Sequence, residues 1–324
     1  MRVLVTGATG FIGQYMVKKI HKLYQVRALV RENSDLDVLS GLKLDMVYGD
    51  LNDLRSIAKA LQDVHVLIHL AALLPGKSLK NKDFWEVNVE GTRNLLKLAA
   101  KTGKLKQFIY CSTSYINWGS KLFANENSPQ VLDSFYVKTK YEAEKLVQKY
   151  GKVGKFSTTI VRPGFVYGNH RTGLSPIAPS IKSGRFFYVG GGNHFFELVH
   201  IDDLTRFFKL VINNKKAFNH VFIVSEKNPH TFKKVVGTMA KELGCPPPKF
   251  SIPRPFFAFG MKILFAVSSY LPIKFPFSQG IYKTLAVDRK FNVSKAEKVL
   301  GFRTQVSPEK GIRSMVKWYK NSRE

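Results

Sequence analysis

The sequence predicts an α/β protein: a Rossmann-type, doubly wound parallel sheet with a smaller C-terminal substrate-binding region. Three observations carry that prediction. Short β-branched runs alternate with helical segments through the first half of the chain. Those runs are apolar almost throughout, as strands covered on both faces must be. A glycine trio stands between the first run and the first helical segment.

Taken in order, Arg2–Thr6, Gln25–Val30, Leu44–Tyr48, His65–Leu70, Gln107–Cys111 and Thr158–Val161 read as strands, with Val221–Val224 a candidate seventh. Helical segments are expected near 12–23, 53–62, 83–102 and 134–150. Alternation at this spacing implies right-handed crossovers and a mostly parallel sheet. Residues 1–165 are expected to form a dinucleotide-binding domain, and residues 166–324 an interleaved substrate-binding region. A segment near 196–225 is expected to return to the first domain. Beyond residue 165, Gly190–Gly192, Pro246–Pro248, Pro253, Pro255, Pro272 and Pro276 loosen the rhythm.

Of the 324 residues 44% are hydrophobic, which suits a packed globule and excludes a disordered chain. Two cysteines, Cys111 and Cys245, make neither a disulfide framework nor a zinc site, so no metal is expected. Met1–Val5 leads straight into the glycine loop, so no signal peptide is read and a cytoplasmic active site is expected. The net charge of +28 divides as +4, +9 and +15 over residues 1–100, 101–200 and 201–324. The C-terminal excess is either a solvated lysine-rich surface or a face for an anionic partner. Membrane headgroups, phosphorylated substrates and nucleic acid would all qualify, but no nucleic-acid motif is present.

The glycine loop runs Thr6-Gly7-Ala8-Thr9-Gly10-Phe11-Ile12-Gly13. Gly7 permits a tight turn, Gly10 lets backbone approach a pyrophosphate, and Gly13 lets helix lie close to strand. The free N–H groups at the helix start then face the phosphates. The second strand ends without an acid for a ribose 2′-hydroxyl, and Arg31 follows it. A guanidinium suits a 2′-phosphate, which favours NADP(H) while leaving NAD(H) open.

Tyr136 and Lys140 lie four apart on one helix face. A neighbouring ammonium favours the phenolate, which is what a proton-transferring tyrosine needs. The same spacing occurs at Tyr15/Lys19, Tyr141/Lys145 and Tyr270/Lys274. Only Tyr136 stands near a helix start and downstream of a strand that ends in hydroxyls, Ser112-Thr113-Ser114. Hydroxyls at that strand edge either hold a substrate oxygen or bond local backbone.

With these residues in place, the chain resembles an extended short-chain dehydrogenase/reductase of the NAD-dependent epimerase/dehydratase family. The resemblance covers nearly the whole length. It rests on the loop at 7–13, Gly49-Asp50-Leu51, Asn88–Leu95, the Ser114/Tyr136/Lys140 set, Arg162–Gly168 and Val199–Asp203. It implies that Asp50 bonds the adenine amine beside Leu51, and that Phe11 and Ile12 offer backbone to the pyrophosphate. It further implies that Ala71 and Ala72 line the cofactor, that Asn88 holds the central helix and a relay water, and that Pro163 touches the nicotinamide end. Counting back from Gly119 gives Ser114 the catalytic serine place, with Trp118 where the family has tyrosine. His200 and Asp202 would be structural. Homodimers, through the helices near 83–102 and 134–150, are what the family implies.

Arg31 and the closing pattern Asp288–Phe291…Lys295-Ala296…Leu300–Phe302 resemble the dihydroflavonol reductase-like and 3β-hydroxysteroid dehydrogenase-like branch. That implies an NADP(H)-dependent oxidoreductase acting on a small hydrophobic ketone or secondary alcohol. Ser114 and Tyr136 would polarise the carbonyl, while Lys140 lowers the phenol pKa and holds the ribose. A nucleotide-sugar epimerase with tightly bound NAD is the other branch. A catalytically silent cofactor sensor or scaffold is the reading from another class, against which the complete Ser114/Tyr136/Lys140 set stands. The apolar stretch 255–277, broken by Lys262, Pro272, Lys274 and Pro276, is too short to read as a transmembrane helix. It is either a packed helix of the small domain or an apolar lid touching an anionic membrane surface.

Overall fold

A computed structural model describes residues 1–75, 80–117, 123–153, 156–170, 173–270, 285 and 287–322. Seven strands form one parallel sheet: β1 (Arg2–Thr6), β2 (Gln25–Val30), β3 (Asp45–Tyr48), β4 (Val66–His69), β5 (Gln107–Cys111), β6 (Ser157–Pro163) and β11 (His220–Val224). Their order across the sheet is β11-β6-β5-β4-β1-β2-β3. The chain returns to the sheet at β11, which pairs with β6 from His220↔Thr159 to Val224↔Pro163.

Alternate strand residues feed two cores, as the pleat demands. Val3, Val5, Val66, Ile68 and Ile109 face α1 (Phe11–Ile20) and α7 (Ile201–Val211). Leu4, Leu67, Phe108 and Tyr110 face α2 (Leu54–Ala60), α4 (Gly91–Thr102) and α5 (Phe135–Lys152). On α7 the apolar positions Leu204, Phe207, Phe208 and Val211 recur at helical spacing and are fully buried. The Phe207 ring sits edge-on to Phe222 at 5.6 Å and to Phe302 at 4.9 Å.

The helix expected at 83–102 differs from the structure in kind. It starts as α3 (Asn81–Trp85), passes through a π-helical turn over Glu86–Glu90, and continues as α4. That turn widens the coil by one residue and carries Asn88.

The C-terminal region has a third core. It gathers α6 (Ala178–Lys182), α8 (Phe232–Leu243), the start of α9 (Arg254–Tyr270) and α11 (Pro308–Asn321), with Phe232, Val236, Met239, Phe257, Ile312 and Met315 buried together. Asp203 ties this region to the sheet domain. Its buried carboxylate accepts from the N–H groups of Gln305 at 3.0 Å and Val306 at 2.9 Å, and from Arg206 at 2.7 Å. Among the described residues no helix is long and apolar enough to cross a membrane. Among them, too, no three His, Cys, Asp or Glu side chains gather where a metal could sit.

Candidate active site

From β1 the chain winds outward to β3, then crosses back to β4 on the other side of β1. The crevice at such a reversal is where open α/β sheets bind ligands. A cavity of about 1050 Å³ opens there.

One wall is the glycine loop. Gly7 has φ +71°, and a Cβ on it would fall 2.6 Å from the Ala71 nitrogen, so the turn and the segment after β4 can meet only at glycine. A Cβ on Gly13 would lie 2.0 Å from the Gly7 carbonyl oxygen. Gly10 caps α1 without a side-chain acceptor, and no acidic residue stands in the first turn. The Phe11, Ile12 and Gly13 N–H groups therefore lack intrahelical acceptors and lie at the cavity wall. This cradle, with the room left by absent side chains, fits a dinucleotide pyrophosphate. Arg31, Asp50, Leu51, Ala71 and Ala72 line the cavity as expected, together with Ser34.

The floor is tied by His69. Thr92 Oγ1 donates to the Asn88 carbonyl at 2.7 Å, so it accepts from His69 Nε2 at 2.9 Å. His69 Nδ1 then accepts from Thr6 Oγ1 at 2.7 Å. Burial, helped by the Lys140 charge, pushes His69 down to about 3 and keeps the ring neutral.

The opposite wall is α5. Ser134 caps it, accepting from the Val137 N–H at 3.3 Å, which starts the helix just ahead of Tyr136. Tyr136 and Lys140 both line the cavity. The Phe84 ring meets Tyr136 edge-on at 6.5 Å, and the Lys140 ammonium lies 4.3 Å over the Tyr110 ring. Burial pushes the Tyr136 phenol well above its ordinary value, with Cys111 and Tyr115 adding to the rise. Burial also lowers Lys140 to about 8, against the opposing pull of Cys111 and Glu144. The phenol is thus raised where Lys140 was expected to lower it: burial shifts both groups toward their neutral forms. Two of the other three Tyr-x-x-x-Lys pairs stand elsewhere: Tyr15 donates to the Asn169 carbonyl and Lys145 pairs with Glu142. Lys274 of the third lies outside the described residues.

Two further expected residues stand off the cavity. Asn88 is a brace: its amide donates to the Leu73 carbonyl at 3.2 Å and to Thr139 Oγ1 at 3.1 Å, and its oxygen accepts from the Leu73 N–H at 2.7 Å. Ser114 does not line the cavity either, whereas Ser112 and Thr113 do. The chain leaves β5 at Cys111 and coils into a 3₁₀ turn over Ser114–Asn117, which buries Ser114 completely. The hydroxyl oxygens of Ser112 and Ser114 are both sealed and have no hydrogen-bond partner among the described residues. Thr113 lines the cavity, and its hydroxyl oxygen accepts from the Tyr115 N–H at 3.3 Å, which leaves its own hydrogen to donate. Trp118 and Gly119, on which the count to Ser114 relied, lie outside the described residues.

Pro163 lines the cavity, and Arg162 behind it bonds Glu144 through Nε at 3.0 Å, one turn after Lys140. His200 caps α7 by accepting from the Asp202 N–H, and neither residue lines the cavity.

Sequence reasoning missed the remaining wall. Leu73, Leu74, Pro75, Phe84, Val87 and Phe165 add apolar lining to the cavity, Phe84 against Tyr136, and Arg289 and Tyr115 line it as well. Arg289 is buried, donates to Tyr115 Oη at 3.0 Å and pairs with Glu197 at 3.2 Å. Loop apolars carry no spacing signal; Arg289 stood in the closing pattern but without a role.

The model of the NAD dependent epimerase/dehydratase family matches residues 3–224. The N-acetyl-alpha-D-glucosaminyl-diphospho-ditrans,octacis-undecaprenol 4-epimerase of Escherichia coli O157:H7 is 24% identical, over 90% of this chain and 88% of that one. The decarboxylating sterol-4-alpha-carboxylate 3-dehydrogenase of Candida albicans is 25% identical, over 98% and 97%. The crystal structure of the UDP-glucuronic acid 4-epimerase from Bacillus cereus in complex with NAD superposes with a TM-score of 0.79 at 22% identity, covering all of both chains.

Proposed function

Since the chain belongs to the NAD-dependent epimerase/dehydratase family, and is an NAD(P)-dependent enzyme of the extended short-chain dehydrogenase/reductase type, we propose that it transfers hydride between NADP(H) and a hydrophobic ketone or secondary alcohol. The observation that carries this reading is the apolar lining that Leu73, Leu74, Pro75, Phe84, Val87 and Phe165 give the cavity holding Tyr136, with Phe84 against the Tyr136 ring. A sugar presents hydroxyls that such a wall leaves unpaired, at a cost of about 1–3 kcal/mol each. A sterol- or lipid-like skeleton gains by the same contact.

In this reading the Phe11, Ile12 and Gly13 N–H groups hold the pyrophosphate, Asp50 takes the adenine amine, and Arg31 takes the 2′-phosphate. Tyr136 and Thr113 donate to the substrate oxygen. Lys140 holds the nicotinamide ribose. The reduced nicotinamide, when bound, supplies the hydride that reaches the carbonyl carbon. Tyr136 gives its phenolic proton to the oxygen, so that ketone, hydride and proton become the secondary alcohol. The Lys140 ammonium, charged below about pH 8, offsets part of the burial of the phenolate left on Tyr136.

The nucleotide-sugar reading has one observation in its favour, the buried Arg289, which could meet a diphosphate. Glu197 already compensates that charge at 3.2 Å, which weakens it. NADPH consumption with apolar cyclic ketones, set beside UDP-glucose, tests the choice. Ketone-dependent oxidation of NADPH supports the proposal. Copurifying NAD with UDP-sugar turnover and no ketone reduction overturns it.

A further inference from the structure

Helix α9 is apolar on two faces, and the protein's own core covers one of them. Phe257 and Met261 point into the C-terminal core and are buried. Phe256, Phe259 and Ile263, at i, i+3 and i+7, form a second stripe that is 72%, 65% and 50% exposed. Phe250, just ahead of the strand Ser251–Ile252 that leads into α9, is 66% exposed. Large exposed apolar groups clustered on one face mark a surface meant for contact.

The charge around the stripe says which surface. Between Glu242 and Tyr270 the sequence carries no carboxylate and three basic residues, Lys249, Arg254 and Lys262, of which Arg254 pairs with Asp288 at 3.4 Å. Lys249 precedes Phe250, and Lys262 is exposed beside Ile263. Aromatic side chains between cationic ones are what an interfacial helix presents to a bilayer: rings at the headgroup–acyl boundary, ammonium groups among the phosphates. A second protein surface would have to be both apolar and strongly acidic to match.

We propose that the outer face of α9 docks the protein on an anionic lipid bilayer, with Phe256, Phe259 and Ile263 entering the interface and Lys249 and Lys262 meeting the headgroups. The inference stands apart from the substrate reading above. The docking is peripheral, since a 17-residue helix with one face in the protein core does not span.

Flotation with phosphatidylcholine–phosphatidylglycerol vesicles tests it. The wild-type protein is expected to float with these vesicles, less with pure phosphatidylcholine, and less again at high salt. The double variant Phe256→Ser/Phe259→Ser is expected to lose roughly tenfold or more in vesicle affinity. It should keep its dinucleotide affinity and its mass in solution. Lys249→Glu/Lys262→Glu, which leaves the apolar stripe alone, should lose the preference for phosphatidylglycerol. The proposal fails if wild type does not float, or if both double variants float as well as wild type. It also fails if the serine variant halves the solution mass of the lipid-free protein, which would make a second copy of the chain the occupant.

Discussion

At the residue scale the reacting centre depends on how burial shifts the protonation of Tyr136 and Lys140. Tyr136→Phe, which removes the phenolic hydroxyl and leaves the ring, should lower kcat by about 10²–10⁴-fold with little change in dinucleotide affinity. Thr113→Val should lower kcat about 10²-fold, while Ser114→Ala should leave it nearly unchanged; the reverse order would restore Ser114 to the role the family count gave it. Lys140, lowered to about 8, carries its charge below that pH and loses it above. Affinity for NADPH, read by titration calorimetry, should therefore weaken as pH rises through about 8. Lys140→Arg, which stays charged, should remove that break. Arg31→Ala should erase a preference for NADPH over NADH; equal affinities in the wild type would reduce Arg31 to a surface residue. That Tyr136, Lys140 and the glycine trio share one cavity was legible because their spacing is local. Which strand-end residues line it was not, since the 3₁₀ turn after β5 turns Ser114 away while Ser112 and Thr113 stay at the wall.

Elements were legible where a period runs long enough. β1, β2 and β5 fall where the alternation puts them, because a doubly covered sheet makes their runs mostly apolar, with Arg27 and Gln107 the buried polar exceptions. The π turn over Glu86–Glu90 left no such mark: it alters hydrogen bonding, not the polarity pattern. Its effect is concrete, since it sets the Asn88 amide between Leu73 and Thr139, joining the apolar wall to the helix of Tyr136. His69 is the matching brace under β1 and β4. In the folded state it titrates at about 3 instead of 6.5, so between those values only the unfolded chain takes the proton. Stability should then fall as pH drops below 6.5, by about 1.4 kcal/mol per unit from this group. Urea midpoints at pH 6.5 and pH 5 should show wild type losing about 2 kcal/mol more than His69→Gln over that interval. On α7, Phe207→Ala should cost about 3–5 kcal/mol by opening a void between Phe222 and Phe302.

For the whole molecule, the parallel sheet followed from strand–helix alternation, but the C-terminal lobe did not follow from anything local. Its core joins residues as far apart in sequence as Tyr167 and Ile312, and no short-range period records such pairings. Ending the chain before α11 should remove Ile312, Met315 and Val316 from the third core. Thermal denaturation should then show the remaining protein losing cooperativity while the glycine-loop half stays folded.

Gly7 and Arg289 line the same cavity from widely separated positions in the sequence. During synthesis the first leaves the ribosome long before the second. The phosphate cradle can therefore close while translation continues, whereas the rest of the lining waits for the segment that carries Arg289. A nascent chain arrested before Arg289 would capture nucleotide and have no finished place for a second molecule, so hydride could be held in readiness but not handed on.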